Sequence, residues 1–210
     1  MPPAPLKPTR ERRLVRCGQD IVAGLDEVGR GPLAGPVVAA AVVLDLRRIP
    51  DGLADSKALS AERREELFAL IVRSAQVGVA TVSAGEIDRI NIRQASLLAM
   101  CRALDALPCV PDVALVDGND APDLRCPAHT IIKGDALVPS IAAASIVAKV
   151  MRDRMMKRVD ELFPAYGFAT NVGYSTATHL AALARTGPCP YHRRSFAPVR
   201  AARPLPQLAA

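Results

Sequence analysis

Residues 21–44 read IVAGLDEVGRGPLAGPVVAAAVVL, and the fold is decided in this stretch. Its two apolar segments, Ile21–Leu25 and Val37–Leu44, are rich enough in β-branched residues, and poor enough in polar ones, to read as central strands buried on both faces. Between them Asp26 and Glu27 run straight into Gly29-Arg30-Gly31. Adjacent side chains on a strand point to opposite faces, so two neighbouring acids serve one centre only where the chain bends. Glycine reaches the backbone angles of such a bend. Carboxylates hold hard cations, and arginine and bare amides hold phosphate. The turn therefore points to metal-assisted work on a phosphodiester.

Outward from this stretch, the pattern predicts a helix over Ser60–Ser74, capped by Ser60, then a strand over Gln76–Ser83 and a helix over Asn91–Leu107. A short strand, Val113–Val116, runs into Asp117-Gly118, and His129–Lys133 reads as another. A long helix from Pro139 to Glu161 and a short one over Ser175–Arg185 complete the order, which is that of an α/β sheet flanked by helices. Residues 1–19, rich in Pro and Arg, read as a flexible arm, and residues 200–210 as a flexible tail. Residues 20–199 form a single domain on this reading.

Composition narrows the class. Of 210 residues half are hydrophobic, yet there is no Trp and there are only three Tyr and four Phe, so the core must be built from Ala, Val, Leu and Ile. Lys and Arg outnumber Asp and Glu by 27 to 21, a net charge of +6 that favours a polyanionic partner. Cys17, Cys101, Cys109, Cys126 and Cys189 are odd in number and never spaced CxxC, which argues against a disulfide framework or a zinc ribbon and for reduced thiols in a cytoplasmic protein. No apolar run has the length of a signal sequence or a membrane span, so no membrane association is expected. A nucleotide-binding enzyme is disfavoured, because GxxxxGK[ST] is missing and the Gly-Arg-Gly run lacks the third glycine and the helix start of GxGxxG.

A cation site for phosphoryl transfer needs three or four carboxylates at strand ends. Asp117 fits, since it ends a buried strand and precedes a glycine; Asp135, in Lys133-Gly134-Asp135 ahead of the long helix, is the next candidate. Asp112, Asp120 and Asp123 read as turn formers. Phosphate contacts are expected from Ser56 and Lys57 in a loop, from Ser145 and Lys149 four apart on one helix face, and from Arg193 and Arg194 in a basic cluster. Tyr174, just ahead of a helix, offers a ring for stacking on a sugar or base.

With these residues in view, the chain resembles the ribonuclease HII family, the bacterial type 2 ribonucleases H, from about Ile21 to Val199. GLDEVGRGPLAGPVVAAAVVL, DSKALS, LVDGN, IIKGDALVPSIAAASIVAKVMRD and YHRRSF follow one another in family order. The resemblance implies a ribonuclease H-like fold with a mixed central sheet and a helical C-terminal extension. It implies Asp26, Glu27, Asp117 and Asp135 as catalytic ligands of two Mg²⁺ or Mn²⁺ ions. It also implies that Gly29, Arg30 and Gly31 sense a 2′-hydroxyl and that Tyr174 packs on the sugar at an RNA–DNA junction. The expected substrates are RNA–DNA hybrids and duplex DNA with embedded ribonucleotides, cut by a monomer to leave 3′-hydroxyl and 5′-phosphate ends. Asn171-Val172 and Ser175 depart from the family's His-Lys pair and second glycine, which implies weaker phosphate affinity nearby and a stiffer loop, with no proposed ligand changed. Among the rivals, a non-catalytic hybrid binder would lack an acid, and none is missing. Ribonuclease HIII carries an extra N-terminal domain, for which the roughly 20 residues before the GLDEVGRG motif are too few. A general DNase differs only in ignoring the 2′-hydroxyl.

Overall fold

The computed structural model describes residues 6–202. Five strands, β1 (Val22–Val28), β2 (Val37–Leu44), β3 (Ala75–Val82), β4 (Val113–Asp117) and β5 (Ala128–Ile131), lie in the order β3-β2-β1-β4-β5. β1, β2 and β3 pair antiparallel, whereas β4 joins β1 parallel and β5 joins β4 parallel, so the sheet is mixed. Helices α2 (Ala61–Ser74) and α4 (Pro139–Leu162) cover one face, and α3 (Ala84–Asp105) covers the other. Strand alternation decides the partition. Val37, Ala39 and Ala41 point to α3 with Ala23 and Leu25, while Val38, Ala40 and Val42 point to α4.

The shortage of aromatics has a structural counterpart. Ala142, Ala143 and Ala144 of α4 meet a sheet lined by alanine and valine, and the two layers approach closely. Gly24 faces α4 where a Cβ would run into the main chain of Ser140 and Ile141. α4 therefore lies alongside β1 at backbone distance, and this brings Ser145 level with Asp26.

Three sequence expectations are corrected. Residues 9–16, expected to be part of an arm without regular structure, form helix α1 (Thr9–Arg16), packed on the sheet by Leu14 and Val15. Its Glu11 is buried and accepts from the backbone N–H (3.1 Å) and hydroxyl (2.9 Å) of Ser140, capping α4, whose own N-cap residue Val138 supplies no side-chain bond. α3 begins at Ala84 rather than Asn91: Ser83 and Glu86 form a capping box, and Asn91 (φ 67°) marks a kink between two helical segments. Beyond α4 the expected short helix forms as α6 (Ala177–Thr186), and two unexpected ones, α5 (Phe168–Asn171) and α7 (Ala197–Ala201), join it around Phe168, Tyr166 and Leu183. Of the proposed arm and tail, residues 1–5 and 203–210 lie outside the described residues. Among the described residues no helix is long and apolar enough to cross a membrane.

Gly24→Ala should destabilise the protein by about 3 kcal/mol or more in urea denaturation, because neither α4 nor β1 has side-chain slack at that contact. Gly85→Ala, in the first turn of α3 with nothing within 4 Å of the added methyl, should be neutral or stabilise by up to about 1 kcal/mol.

Candidate active site

Parallel pairing of β1 with β4 places Leu25 opposite Val116. The next residue on each strand is an aspartate, so Asp26 and Asp117 emerge side by side at the strand ends, on the face turned to α4. Asp26, Glu27 and Asp117 line one cleft of about 230 Å³, together with Gly29, Arg30, Gly31, Ser56, Lys57, Ser145 and Tyr174. Asp135, buried in a 3-10 turn (Gly134–Ala136), reaches the rim through a 3.8 Å ion pair with Lys57. Asp117 Oδ1 accepts from the Gly134 amide at 2.6 Å and from the Asp135 amide at 3.4 Å. Gly134 lacks the Cβ that would stand 3.3 Å from that oxygen.

Crowded acids raise one another's pKa. Asp26 is held well above the usual carboxylate range by burial, then by Glu27 and Asp117, against a hydrogen bond from Ser145. Burial also raises Glu27, with Arg30 opposing it at 3.2 Å, and raises Asp135, with Asp117 adding to the effect. Burial works against the charge on Lys57, but Asp55, Asp135, Asp26 and Asp117 together outweigh it and lift its pKa. Among the described residues no three His, Cys, Asp or Glu side chains stand at the spacing of a filled metal site. Glu27 is turned to Arg30, Asp135 to Lys57 and Asp117 to the Gly134 amide.

Several expected substrate contacts have other roles. Ser145 and Ser56 share a 2.9 Å hydrogen bond and stand behind Asp26, both buried. Lys149 does not pair with Ser145: its ammonium binds Asp153 at 2.7 Å and lines a neighbouring cavity with Arg64 and Lys157. Arg193 is fully buried and cannot grip a phosphate. Its guanidinium donates to the carbonyls of Gly29, Arg30 (2.9 Å) and Gly35 (2.9 Å), clamping the Gly-Arg-Gly turn from beneath. Arg194 is exposed but lies outside the cleft, its amide bonded to Asp88 at 2.9 Å.

Arg152, which no local pattern in the sequence marks out, is the second clamp. It donates to Pro36, Ala34 and Val172 carbonyls at 3.0, 3.1 and 2.9 Å and packs under Gly29. Gly29 has φ +95°, and a Cβ there would meet Arg152 and come within 2.8 Å of the Pro36 carbonyl oxygen. Gly31 differs: its added Cβ would only touch the Tyr174 ring at 3.6 Å.

Tyr174 is 45% exposed, on a loop held by buried polar groups. Asn171, one of the departures from the family pattern, accepts from the Gly173 amide and donates to the Tyr166 carbonyl, while Val172 sits in the left-handed region at φ 43°. The Tyr174 carbonyl accepts from His179 Nδ1 at 2.8 Å. His179 Nε2 lies 2.9 Å from His192 Nε2, and His192 Nδ1 accepts from the Cys189 amide at 3.0 Å. One arrangement satisfies the chain: His192 carries its proton on Nε2 and gives it to His179, and both rings are neutral. Burial lowers both pKa values, that of His192 to about 4 with help from His179.

The chain matches the family model described as Ribonuclease HII over residues 23–199. It is 59% identical over 192 residues to a ribonuclease HII of Xanthobacter autotrophicus, covering 91% of this chain and 77% of that protein. It is 59% identical over 187 residues to one of Burkholderia lata, covering 89% and 87%. Among solved structures it is similar to the ribonuclease H2 from Pyrococcus horikoshii OT3, with a TM-score of 0.75 at 29% identity over 86% of this chain and 95% of that one.

The electrostatics of the acids and of the histidine pair have opposite consequences for stability. Asp26 has a raised folded pKa, so its ionisation destabilises the fold as pH rises above the ordinary carboxylate range. In chelator, Asp26→Asn should therefore melt higher than wild type at pH 7, by about 2–4 °C for each kcal/mol relieved, with the gain fading toward pH 4. His192 has the opposite sign, since the unfolded ring binds a proton that the folded one refuses. Stability should be lost as pH falls from about 6.5 toward 4, on the order of 2–3 kcal/mol in total, and urea denaturation of His192→Gln should show a flatter profile across that window.

Proposed function

The chain belongs to the ribonuclease HII family, and from that premise we propose that it cuts 5′ of ribonucleotides embedded in duplex DNA as well as within the RNA strand of hybrids. As a family member it is an endoribonuclease, a phosphodiester hydrolase acting on RNA–DNA substrates. The observation that carries the finer reading is the Leu25–Val116 register, which sets Asp26 beside Asp117 at the mouth of the Gly-Arg-Gly turn. On this reading the protein is a cytoplasmic monomer that removes misincorporated ribonucleotides and RNA primers.

The donor set fits hard divalent cations: four carboxylates, three with pKa values raised by burial, gain most from a bound positive charge. Asp26, Glu27, Asp117 and Asp135 would hold two Mg²⁺ or Mn²⁺ ions. When bound, such ions activate water as nucleophile and stabilise charge on the departing 3′-oxygen. The remaining work falls to the protein. Ser145 and Ser56 fix the Asp26 carboxylate. Lys57, mostly exposed and kept charged by its acidic neighbours, stands ready for a phosphate oxygen at the rim.

Selectivity for RNA rests on the turn. Arg193 holds the carbonyls of Gly29 and Arg30 inward and Arg152 holds those of Ala34 and Pro36 just beyond, leaving one edge of the loop to the cleft. The 2′-hydroxyl both donates and accepts, and it distinguishes RNA from DNA at one position. Tyr174, across from Gly31, offers its ring to the sugar.

The test is cleavage of duplex DNA holding one ribonucleotide, beside an all-DNA duplex, with Mg²⁺ or Mn²⁺. Wild type should cut only the first, 5′ of the ribonucleotide; equal cutting of both would make the protein a general DNase. Asp117→Asn should lower kcat by about 10²-fold or more with the fold intact. Gly31→Ala, which the fold accommodates, should impair cutting at a single ribonucleotide while leaving the melting temperature near wild type. Gly29→Ala should instead cost about 1–2 kcal/mol of stability through its positive φ alone.

A further inference from the structure

The surface around α1 is built from cations. Arg10, Arg12, Arg13 and Arg16 are exposed, and the only acid of the helix, Glu11, is turned inward to α4. Between α1 and the loop leaving β2 opens a cavity of about 840 Å³, walled in part by Lys7, Arg12, Arg16 and Arg47 and containing no acid. The catalytic cleft measures about 230 Å³. Among the described residues none of the four cations forms an ion pair. Arg12 directs a guanidinium N–H to the Leu46 carbonyl across the groove, at 3.4 Å, and Asp45 in the same loop is engaged by the Arg47 amide. Four like charges with no ion-paired partner repel one another, and a row of phosphates relieves that repulsion while releasing its own counterions.

The groove is tied to the cleft by one loop. Leu46 and Arg47 line the groove, and Ser56 and Lys57 line the cleft. The ten residues from Arg47 to Lys57 span at most about 35 Å, so the groove lies no farther from the cleft than about one turn of duplex. We propose that this groove is a second contact for the sugar-phosphate backbone of the duplex substrate, within about one helical turn of the point of cleavage. The proposal rests on the substrate reading given above and adds a surface to it. Affinity gained there is independent of base sequence and of the 2′-hydroxyl, so it serves duplex length and not ribonucleotide recognition.

The test uses the full chain with Arg12→Ala, Arg16→Ala and Arg47→Ala combined, and two duplexes bearing one ribonucleotide, with flanks of about 4 or about 15 base pairs on each side. KM on the long duplex should rise about tenfold, with kcat unchanged and with the short duplex cut as by wild type. Fluorescence anisotropy on a long all-DNA duplex should show the slope of log Kd against log salt falling by about 2 to 3, at about 0.9 for each phosphate that is no longer neutralised. The triple lysine variant, which keeps the charge, should restore that slope. An unchanged salt slope, equal KM losses on both duplexes, or failure of the lysine variant to restore binding would each overturn the groove contact. Were no ribonucleotide duplex cut by any form, the substrate reading would fall, and the anisotropy slope alone would still decide for or against the groove.

Discussion

Two buried guanidinium groups that form no ion pair among the described residues, those of Arg152 and Arg193, are the constraint on which the site depends. Burying a cation is costly unless every N–H finds a partner. Here the partners are main-chain carbonyls of Gly29, Arg30, Ala34, Gly35, Pro36 and Val172, and supplying them forces the intervening chain into a single compact loop. Burial and mutual repulsion bring the Arg193 pKa down to about 9, still charged at neutral pH. The same two side chains bind the loop at residues 29–36 to the helix at 152 and to the C-terminal segment at 193. The backbone that lines the cleft is thus shaped by charges buried behind it.

Opposite those cations sits a set of acids that the fold holds at a cost. Asp26 is enclosed beside Glu27 and Asp117, and the lowered share of its charged form at rest reflects burial first and its neighbours second. Arg30 and Lys57 neutralise the edges of the cluster but leave its centre uncompensated. Such a site is unfavourable to the protein and favourable to a hard cation, the usual conflict between stability and activity.

Much of this is legible in the sequence, for identifiable reasons. β1 and β2 are continuous apolar segments, α4 opens as a run of small and apolar residues before turning charged, and Asp, Gly and Pro mark their ends, so local pattern is enough to place them. Asp117 is placed by its position after a buried strand and before a glycine. What local pattern does not encode is where a long side chain ends. Ser145 and Lys149 do share a helical face, yet the lysine reaches to Asp153 instead of the cleft. Arg193 reads as one of a pair of surface arginines, and only the fold reveals the six carbonyls that await two buried guanidinium groups. TRERRLVR reads as a polar arm because its one acid, which would ordinarily face water, is the residue that faces inward. The Asn91 kink hides the segment of α3 ahead of it, although Ser83 and Glu86 stand at capping-box spacing.

That inward glutamate also joins the first helix of the chain to the middle of it. Glu11 and Ser140 are 129 residues apart, and the helix start that Glu11 closes belongs to the segment bearing Ser145 and Arg152. During synthesis α1 leaves the ribosome long before its acceptor exists, so α4 acquires its cap only once the chain has grown well past Ser140. Trimming the chain to residues 23–199, the span of the family model, would remove the residue that closes this helix start.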